Sequence, residues 1–594
     1  MDSPNFARSS STPSPKTLTR RLGTVARTPQ QRWQIFEPDP EIEHFAQQVN
    51  LSPLIAQVLH NRGIGTLSEA QGYLNPDRLQ LPHPLAEFPD LEKSVALLKE
   101  AIAHRQKIAI CGDYDADGMT STALLLRSLK HLGAQVDYAI PSRMSEGYGI
   151  NRRIVEEFHQ EGVEVILTVD NGIAAYDPIA RAIELGLTVI ITDHHDLPSQ
   201  LPPATAILNP KLLPLTSPYA SVAGVGVAYI LAITLAQELG QAKAIYPLCL
   251  ELFTLGTIAD LAPLTGVNRR WLKRGLRRLP HSELAGVQAL IQVSGVGDRQ
   301  KALKPEDIGF RLGPRINAIG RLSDPQIVIE LLTTDEPGIA LEQAMKCEQI
   351  NRRRQELCEQ ITQEAIEIVE PQKKSLYDDR VLLLVQPGWH HGVIGIVASR
   401  LVERYGVPVF IGTHEGKEQI RGSARGIPEF HVFEALEHCD SLLSKYGGHK
   451  AAGGFSLPRK NLDLFQAQLS EFAHHCLQPQ WLKPLVRIDG LAEFSQLDLD
   501  LYHQIDRLHP CGIENDLPIF WTPDVRILEQ KIVGKGHIKL TLTEEKSKRI
   551  LKAIAWRWQD YFPLPSRLDI AYSLRENTWN GNTTLELELV GARI

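Results

Sequence analysis

Three short segments concentrate the side chains able to do chemistry in this 594-residue chain. Asp113, Asp115 and Asp117 directly follow the β-branched run Ile108-Ala109-Ile110. Asp170 ends the apolar run Val165-Ile166-Leu167-Thr168-Val169, and Asp193-His194-His195-Asp196 follows Val189-Ile190-Ile191. Carboxylates and imidazoles gathered at close range raise one another's pKa or need a cation to offset them. Aspartate and histidine together are borderline-hard donors that suit Mn²⁺ or Mg²⁺, with Zn²⁺ a poorer fit in the absence of thiolates. Two such ions side by side can activate a water and stabilise the attacking and leaving oxygens of a phosphoryl transfer. Taken singly, an Asp-x-Asp is usually a solvated turn and a His-His pair a surface or core feature. The joint placement at three strand ends carries the reading.

That placement depends on the elements beneath it. From about Lys107 to Asn209, β-branched runs (the three above, with Val136 to Ile140 and Ala206 to Leu208) alternate with helical segments such as Thr120 to Leu132 and Pro178 to Leu185, which end near Gly133 and Gly186. This predicts an α/β fold with a doubly wound parallel sheet. The carboxyl ends of such strands line one crevice, so the acids should converge. Gly112 and Gly118 flank the first acidic loop, either as turn residues or to let backbone approach a phosphate. From about Pro337 to Glu370 the chain has almost no Gly or Pro and repeats apolar positions at helical intervals, predicting a long helix between two lobes. A second α/β segment follows from Val381 to about Cys476. There Gly447-Gly448 and Gly453-Gly454 bracket His449 and Lys450, either a structural turn or a phosphate-backbone contact. Trp389 is either a core residue or a base-stacking platform. Beyond Leu485, short strands including Lys531 to Val533, His537 to Leu542 and Thr584 to Val590 suggest a small β-barrel, which the pattern alone does not distinguish from another β domain.

Composition narrows the class. At 43% hydrophobic and 22% charged residues the chain matches the globular average, and its length calls for several domains. The longest apolar run, Val222 to Ala236, is too short for a membrane span and reads as a buried helix. Seven scattered cysteines with no Cys-x-x-Cys pair fit neither a disulfide framework nor a zinc ribbon, and point to a reducing cytoplasm. The net charge of −7 excludes a uniformly basic coat, so any nucleic-acid contact must come from local clusters. Residues 1–31 are Ser/Thr/Pro/Arg-rich with Asp2 as their only acid, and are expected to form a disordered tail, with a transit peptide as the alternative.

Four ordered segments resemble the successive motifs of the DHH phosphoesterases: Cys111-Gly-Asp-Tyr-Asp-Ala-Asp-Gly-Met-Thr-Ser-Thr122, Thr168-Val-Asp-Asn-Gly172, Thr192-Asp-His-His195 and Gly256-Thr-Ile-Ala-Asp-Leu-Ala-Pro-Leu264. Further segments are similar to the RecJ branch: Ile140-Pro-Ser-Arg-Met-Ser-Glu-Gly-Tyr-Gly149, Arg315-Ile-Asn-Ala-Ile-Gly-Arg321, Gly388 to Arg400, Gly422-Ser-Ala-Arg425 and Gly447 to Gly454. The resemblance implies a metal-dependent 5′→3′ exonuclease of single-stranded DNA, in DNA repair and recombination, using two Mn²⁺ or Mg²⁺ ions. It implies Asp115, Asp117, Asp170, His194, His195 and Asp260 as catalytic metal ligands, and Arg143, Arg315, Ser423, Arg425 and His449 as nucleic-acid contacts. Asp260 comes from the resemblance alone. Asp113 stays open as ligand, support for a ligand or loop capper. The implied organisation is an N-terminal helical region (32–80), a DHH domain (81–285), a connecting helical region (286–375), a DHH-associated α/β domain (376–478) and an oligonucleotide-binding-like β-barrel domain (479–594). A monomer is expected, with single-stranded DNA as partner, a single-strand-binding protein or helicase as further candidates, and no membrane. Alternatives are a DHH phosphodiesterase acting on short oligoribonucleotides or cyclic dinucleotides, and a catalytically silent replication factor. The chain departs from the pattern at Cys111, where some superfamily members carry a metal-binding His, at His391, where Pro is expected, and at His509 to Pro518, where a Gly-Asn-Pro turn is degraded.

Overall fold

The computed structural model describes residues 28–141, 147–296, 302–534, 536–579 and 582–594. Residues 1–27 of the expected tail lie outside them. The chain divides into two compact units, one spanning Arg32–Gly490 with Leu499–Ile519, the other containing Leu491–Asp498 and Phe520–Ile594.

The larger unit opens on a strand, β1 (Arg32–Ile35), rather than directly on the expected helices, which follow at Ile42–Val49, Pro53–Asn61 and Leu67–Leu74. Its first sheet contains β2 (Lys107–Cys111), β3 (Gln135–Ala139), β4 (Val165–Val169), β5 (Thr188–Thr192) and β6 (Ala206–Leu208), in spatial order β3-β2-β4-β5-β6 with every pair parallel. Alternation of side chains divides this sheet between two cores. Ile108, Ile110, Leu167 and Ile190 face a large apolar cluster built with α1 (Ala116–His131), α2 (Gly224–Glu238) and α3 (Ala242–Ala259). Ala109, Cys111, Ile166, Val189 and Ile191 face the opposite layer, packing on Ile154, Phe158, Ile179 and Ala182 of the helices Arg152–Gln160 and Tyr176–Glu184. Burial on both faces is why these strands read as continuous apolar runs. The glycine-broken run read as a buried helix is α2, and α3, long and apolar enough to cross a membrane by length and composition, lies largely within the same core.

Past α4 (Gly313–Leu322), the predicted long helix is α5 (Pro337–Val369), within one residue of its expected end. It leads to a mixed sheet of β7 (Leu382–Val385), β8 (Val409–Glu415), β9 (Gln419–Arg425), β10 (Lys445–Gly448) and β11 (Ala452–Pro458), in order β10-β11-β9-β8-β7. The helix α6 (His391–Tyr405) connects β7 to its parallel neighbour β8. A strand far along the chain, β12 (Leu485–Ile488), pairs in parallel with β1.

In the smaller unit, after the two-residue β13 (Gly490–Leu491) at the boundary, the strands are β14 (Phe520–Val533), β15 (His537–Thr543), β16 (Ile550–Ala555), β17 (Arg567–Trp579) and β18 (Asn582–Arg593). Pairing runs β14-β15-β16-β18-β17 and returns to β14, closing a five-stranded barrel. Closure leaves no unpaired edge, and register shifts in β14 and β17 turn its corners.

Candidate metal centre

In the parallel sheet, β3 and β4 flank β2 on opposite sides, so the chain reverses direction of travel across the sheet at the carboxyl ends of β2 and β4, where open α/β sheets bind ligands. The loop after β2 brings Asp113 and Asp115, and α1 starts on this loop. Asp115 is its N-cap, with Oδ1 accepting from the Asp117 and Gly118 amides at 3.0 and 3.1 Å. Asp117, in the first turn, reaches across to the N-terminus of α2. Its Oδ2 accepts from Gly224 N–H and its Oδ1 from Val225 N–H, both at 2.7 Å. Gly224 is there because nothing larger fits: a β-carbon would stand 2.9 Å from both Asp117 Oδ2 and Asp170 Cβ. Asp170, immediately after β4, takes a left-handed φ of 59° and donates its N–H to Thr192 O. Asn171 ties the two strand ends together through Cys111 O and Val169 O.

The β5 loop supplies the imidazoles. Asp193 is buried and fully engaged: Oδ1 accepts from the His194 and His195 amides and lies 2.7 Å from His195 Nδ1, while Oδ2 accepts from Ile173 N–H. These contacts hold its carboxyl below the usual range although burial works in the other direction. His194 Nε2 is 3.0 Å from Asp170 Oδ1, 3.5 Å from Asp117 Oδ2 and 3.9 Å from Asp260 Oδ2, with Asp260 capping the end of α3. The Tyr148 hydroxyl donates to Asp170 O and sits 3.1 Å from His195 Nδ1.

Among the described residues three overlapping groups result: Asp113/Asp115/Asp170, Asp117/His194/Asp260 and Asp170/His194/His195, each with one donor atom per residue within 4.8 Å of the others. The electrostatics are those of a cation site. Burial and then the neighbouring Asp115 push Asp117 up to about 7, and burial with surrounding carboxylates raises Asp170 and Asp260 well above their ordinary values. Burial lowers His194 to about 4, so its imidazole is neutral and its nitrogen free to coordinate. Asp170 Oδ1 is buried with no hydrogen-bond partner, an orphaned oxygen that a bound cation would satisfy. The donor set therefore fits hard divalent ions, with no cysteine in any of the groups.

Of the other residues singled out by sequence, Arg143 lies outside the described residues. Arg315 is on α4 but turned to α5, where Nη2 pairs with Glu348 Oε2 at 2.7 Å, both side chains mostly buried (11% and 18% exposed). Glu348 lies three helical turns into α5. Ser423 and Arg425 share one face of β9, under Gly395 of α6, where a β-carbon would be 3.0 Å from Arg425 Nη2 and 3.4 Å from Ser423 Oγ. His449, at the turn between β10 and β11, reaches the first lobe: its Nδ1 is 3.1 Å from Asp196 Oδ2 and its ring stacks 6.3 Å from His195. Sequence reasoning placed Asp193 in the acidic run without its role of holding His195, left Tyr148 and Asn171 unremarked inside the segments 140–149 and 168–172, and gave no signal for Gly224.

Comparison with known families matches residues 107–257 to the DHH family N-terminal domain, 378–475 to the DHHA1 domain and 488–591 to the RecJ OB domain. The chain is 35% identical over 570 residues to the single-stranded-DNA-specific exonuclease RecJ of Bacillus subtilis, covering 95% of this chain and 71% of that protein. It belongs to the RecJ family. The Escherichia coli RecJ is 34% identical, with 90% of this chain and 95% of that protein covered. The crystal structure of Thermus thermophilus RecJ in complex with Mn²⁺ superimposes with a TM-score of 0.81 at 30% identity, over 95% of this chain and 80% of that one, and the corresponding Mg²⁺ complex gives 0.75. The RecJ fold thus accounts for the parallel sheet, the mixed sheet and the barrel together.

Proposed function

We propose that this protein is a metal-dependent 5′→3′ exonuclease that hydrolyses phosphodiester bonds of single-stranded DNA in repair and recombination. The observation that carries the reading is the convergence of Asp113, Asp115, Asp117, Asp170, His194, His195 and Asp260 at one switch point, in an arrangement whose carboxyls need a cation to ionise together. Asp115, Asp117, Asp170, His194, His195 and Asp260 would hold two Mn²⁺ or Mg²⁺ ions, with Asp113 contributing from the floor of the loop. Bound there, the ions supply an activated water and charge stabilisation for in-line phosphoryl transfer.

The chain's own groups prepare the site. The amides of Gly224 and Val225 fix both oxygens of Asp117, and Asp193 holds His195 by its Nδ1, which lies 3.8 Å from Asp170 Oδ1. Ser423, Arg425 and His449 come to the crevice from the second lobe and would bind the strand's phosphates, which makes the cleft between the lobes the binding path. The barrel and the RecJ relatives favour a polymer over a short oligoribonucleotide or cyclic dinucleotide. The intact donor set disfavours a silent replication factor. We place the protein in the cytoplasm as a monomer, with a single-strand-binding protein or helicase as candidate partner.

The test is hydrolysis of single strands labelled at either end, as DNA and as RNA, in the presence of Mn²⁺, Mg²⁺ or Ca²⁺. Stepwise loss from the 5′ end of DNA with Mn²⁺ or Mg²⁺, and at least ~10-fold less with Ca²⁺, whose looser coordination polarises water less, is expected. Equal rates with all three ions, or with EDTA, would remove the two-metal reading.

A further inference from the structure

Immediately beyond Asp260 the surface changes character. A cavity of about 270 Å³ opens there, lined by Ile258, Leu261, Leu264, Phe310, Ile513 and Leu517, with the carboxyl of Glu306 among these apolar walls. Its rim is unusually exposed for such residues: Phe310 is 79% accessible, Leu261 63% and Ile513 43%. Apolar side chains clustered in water mark a surface with an occupant.

Two local distortions hold that rim in place. Leu261 takes a φ of 64°, in the left-handed region that residues with a β-carbon seldom adopt. It thereby turns the chain out of the end of α3 and presents its side chain beside the recess. Phe310 lies in a π-helical turn, Ile308–Leu312, a local widening of the helix that concentrates at functional sites. Backbone strain of this kind persists where surrounding structure enforces it, and it clusters at ligand clamps. Of the titratable groups that line it, Glu306, Cys511 and Asp516, the first has an unmet requirement. Glu306 Oε2 is buried with no hydrogen-bond partner, and burial raises the carboxyl's pKa.

We propose that this recess is a nucleobase subsite, in which one base of the single strand stacks on Phe310 against Leu261 and turns its edge to Glu306. The inference rests on the nuclease reading and extends it from the phosphates to a base. Three features point to a base rather than a protein side chain. Leu261 follows Asp260 directly in the chain, so the recess adjoins the proposed metal centre and lies within reach of a strand whose phosphate is held there. A flat aromatic platform edged by a few polar groups, Glu306, Asp516 and Cys511, suits a heterocycle, because every base has a π-face. The unmet acceptor suits the exocyclic amine that adenine, cytosine and guanine carry and thymine lacks. Arg311, exposed beside Phe310, is available to the backbone of the same strand.

The test walks a single abasic residue along an otherwise uniform single strand and compares the full-length wild type with Phe310→Ala in steady-state hydrolysis. For the wild type, one abasic position should raise KM by about 10-fold, within the range for stacking a base on an aromatic ring, with kcat changed little. Phe310→Ala should show the raised KM on intact strands and no further loss at that position, and Phe310→Tyr should restore it. Glu306→Gln should reduce a preference for cytosine over thymine there. Phe310 is mostly exposed, so its truncation should leave the thermal unfolding midpoint unchanged. An unchanged KM for Phe310→Ala, or abasic losses that add to the mutation at every position, would overturn the subsite and assign the recess to another occupant such as a protein segment. Hydrolysis of intact strands by the wild type in the same series keeps the two readings apart: if it is normal while the coupling is missing, only the subsite fails.

Discussion

Asp117 and Asp170 belong to the same cluster and have the same chemistry, yet they should not respond alike to truncation. Asp170→Ala removes a carboxyl whose Oδ1 has no hydrogen-bond partner, and it relieves repulsion among buried acids. Asp117→Ala also strips the acceptors from the Gly224 and Val225 amides, and each buried donor left unsatisfied costs about 1–3 kcal/mol. Both variants should lose hydrolysis by at least ~10²-fold, as expected when preorganised charge stabilisation is removed. In EDTA, the Asp170 variant should melt at or above the wild-type temperature and the Asp117 variant below it. Equal melting temperatures would show that the capping of α2 by Asp117 adds nothing. At this scale the sequence was most legible where a residue acts through its own side chain at a strand end, as with Asp115, Asp117, Asp170, His194 and His195. Asp260 was reached only through resemblance, because a single acid at a helix end has no distinguishing spacing. Gly224 was invisible because its role is to be small, a requirement set by two carboxyls 107 and 54 positions away in the chain.

Strands buried on both faces and long uninterrupted helices are the elements a sequence shows best, and β4, β6 and α5 lie almost where the periodicity puts them. The pairing of β1 with β12 was not legible, since partners more than 450 residues apart leave no local mark. Nor was the link between the β10–β11 turn and the loop after β5. Asp196 is fixed there next to His195, with Lys211 Nζ 3.4 Å from one oxygen and His449 Nδ1 3.1 Å from the other. Both partners of the His449 pair are more than half exposed, so the pair contributes no more than about 1 kcal/mol, and its value lies in orienting the imidazole and joining the lobes. Asp196→Ala should therefore raise KM for single strands a few-fold with a smaller change in kcat. In a His449→Ala background the same substitution should do nothing more. A double-mutant cycle in steady-state kinetics measures this coupling, and strictly additive effects would show that Asp196 acts elsewhere.

Across the whole molecule, a net charge of −7 leaves the capture of a polyanion to a few placed cations, and the two lobes of the larger unit divide that task. The first carries the metal centre, while Ser423 and Arg425 come from the second, so a strand must lie between the lobes to meet both. A terminal phosphomonoester offers more charge and more free oxygens than an internal diester, and a guanidinium fork engages it bidentately. Arg425→Ala should accordingly weaken binding of 5′-phosphorylated strands by about 10-fold or more and of 5′-hydroxyl strands far less, with metal affinity unchanged. Arg315, grouped with Arg425 by its motif, should behave differently because it is committed to Glu348. Its truncation leaves a mostly buried carboxylate whose remaining ion-pair partner among the described residues is the exposed Arg352, and a buried charge that loses its partner is destabilising. Arg315→Ala should thus lower the melting temperature without discriminating between 5′ ends, and Arg425→Ala should discriminate without lowering it. Fluorescence anisotropy with the two strand types, beside thermal unfolding of each variant, separates these outcomes. If Arg425→Ala weakens both strands equally, or a circular strand is cut as fast as a linear one, the protein reads phosphates along the chain rather than its end, and the second lobe serves as a clamp on the polymer.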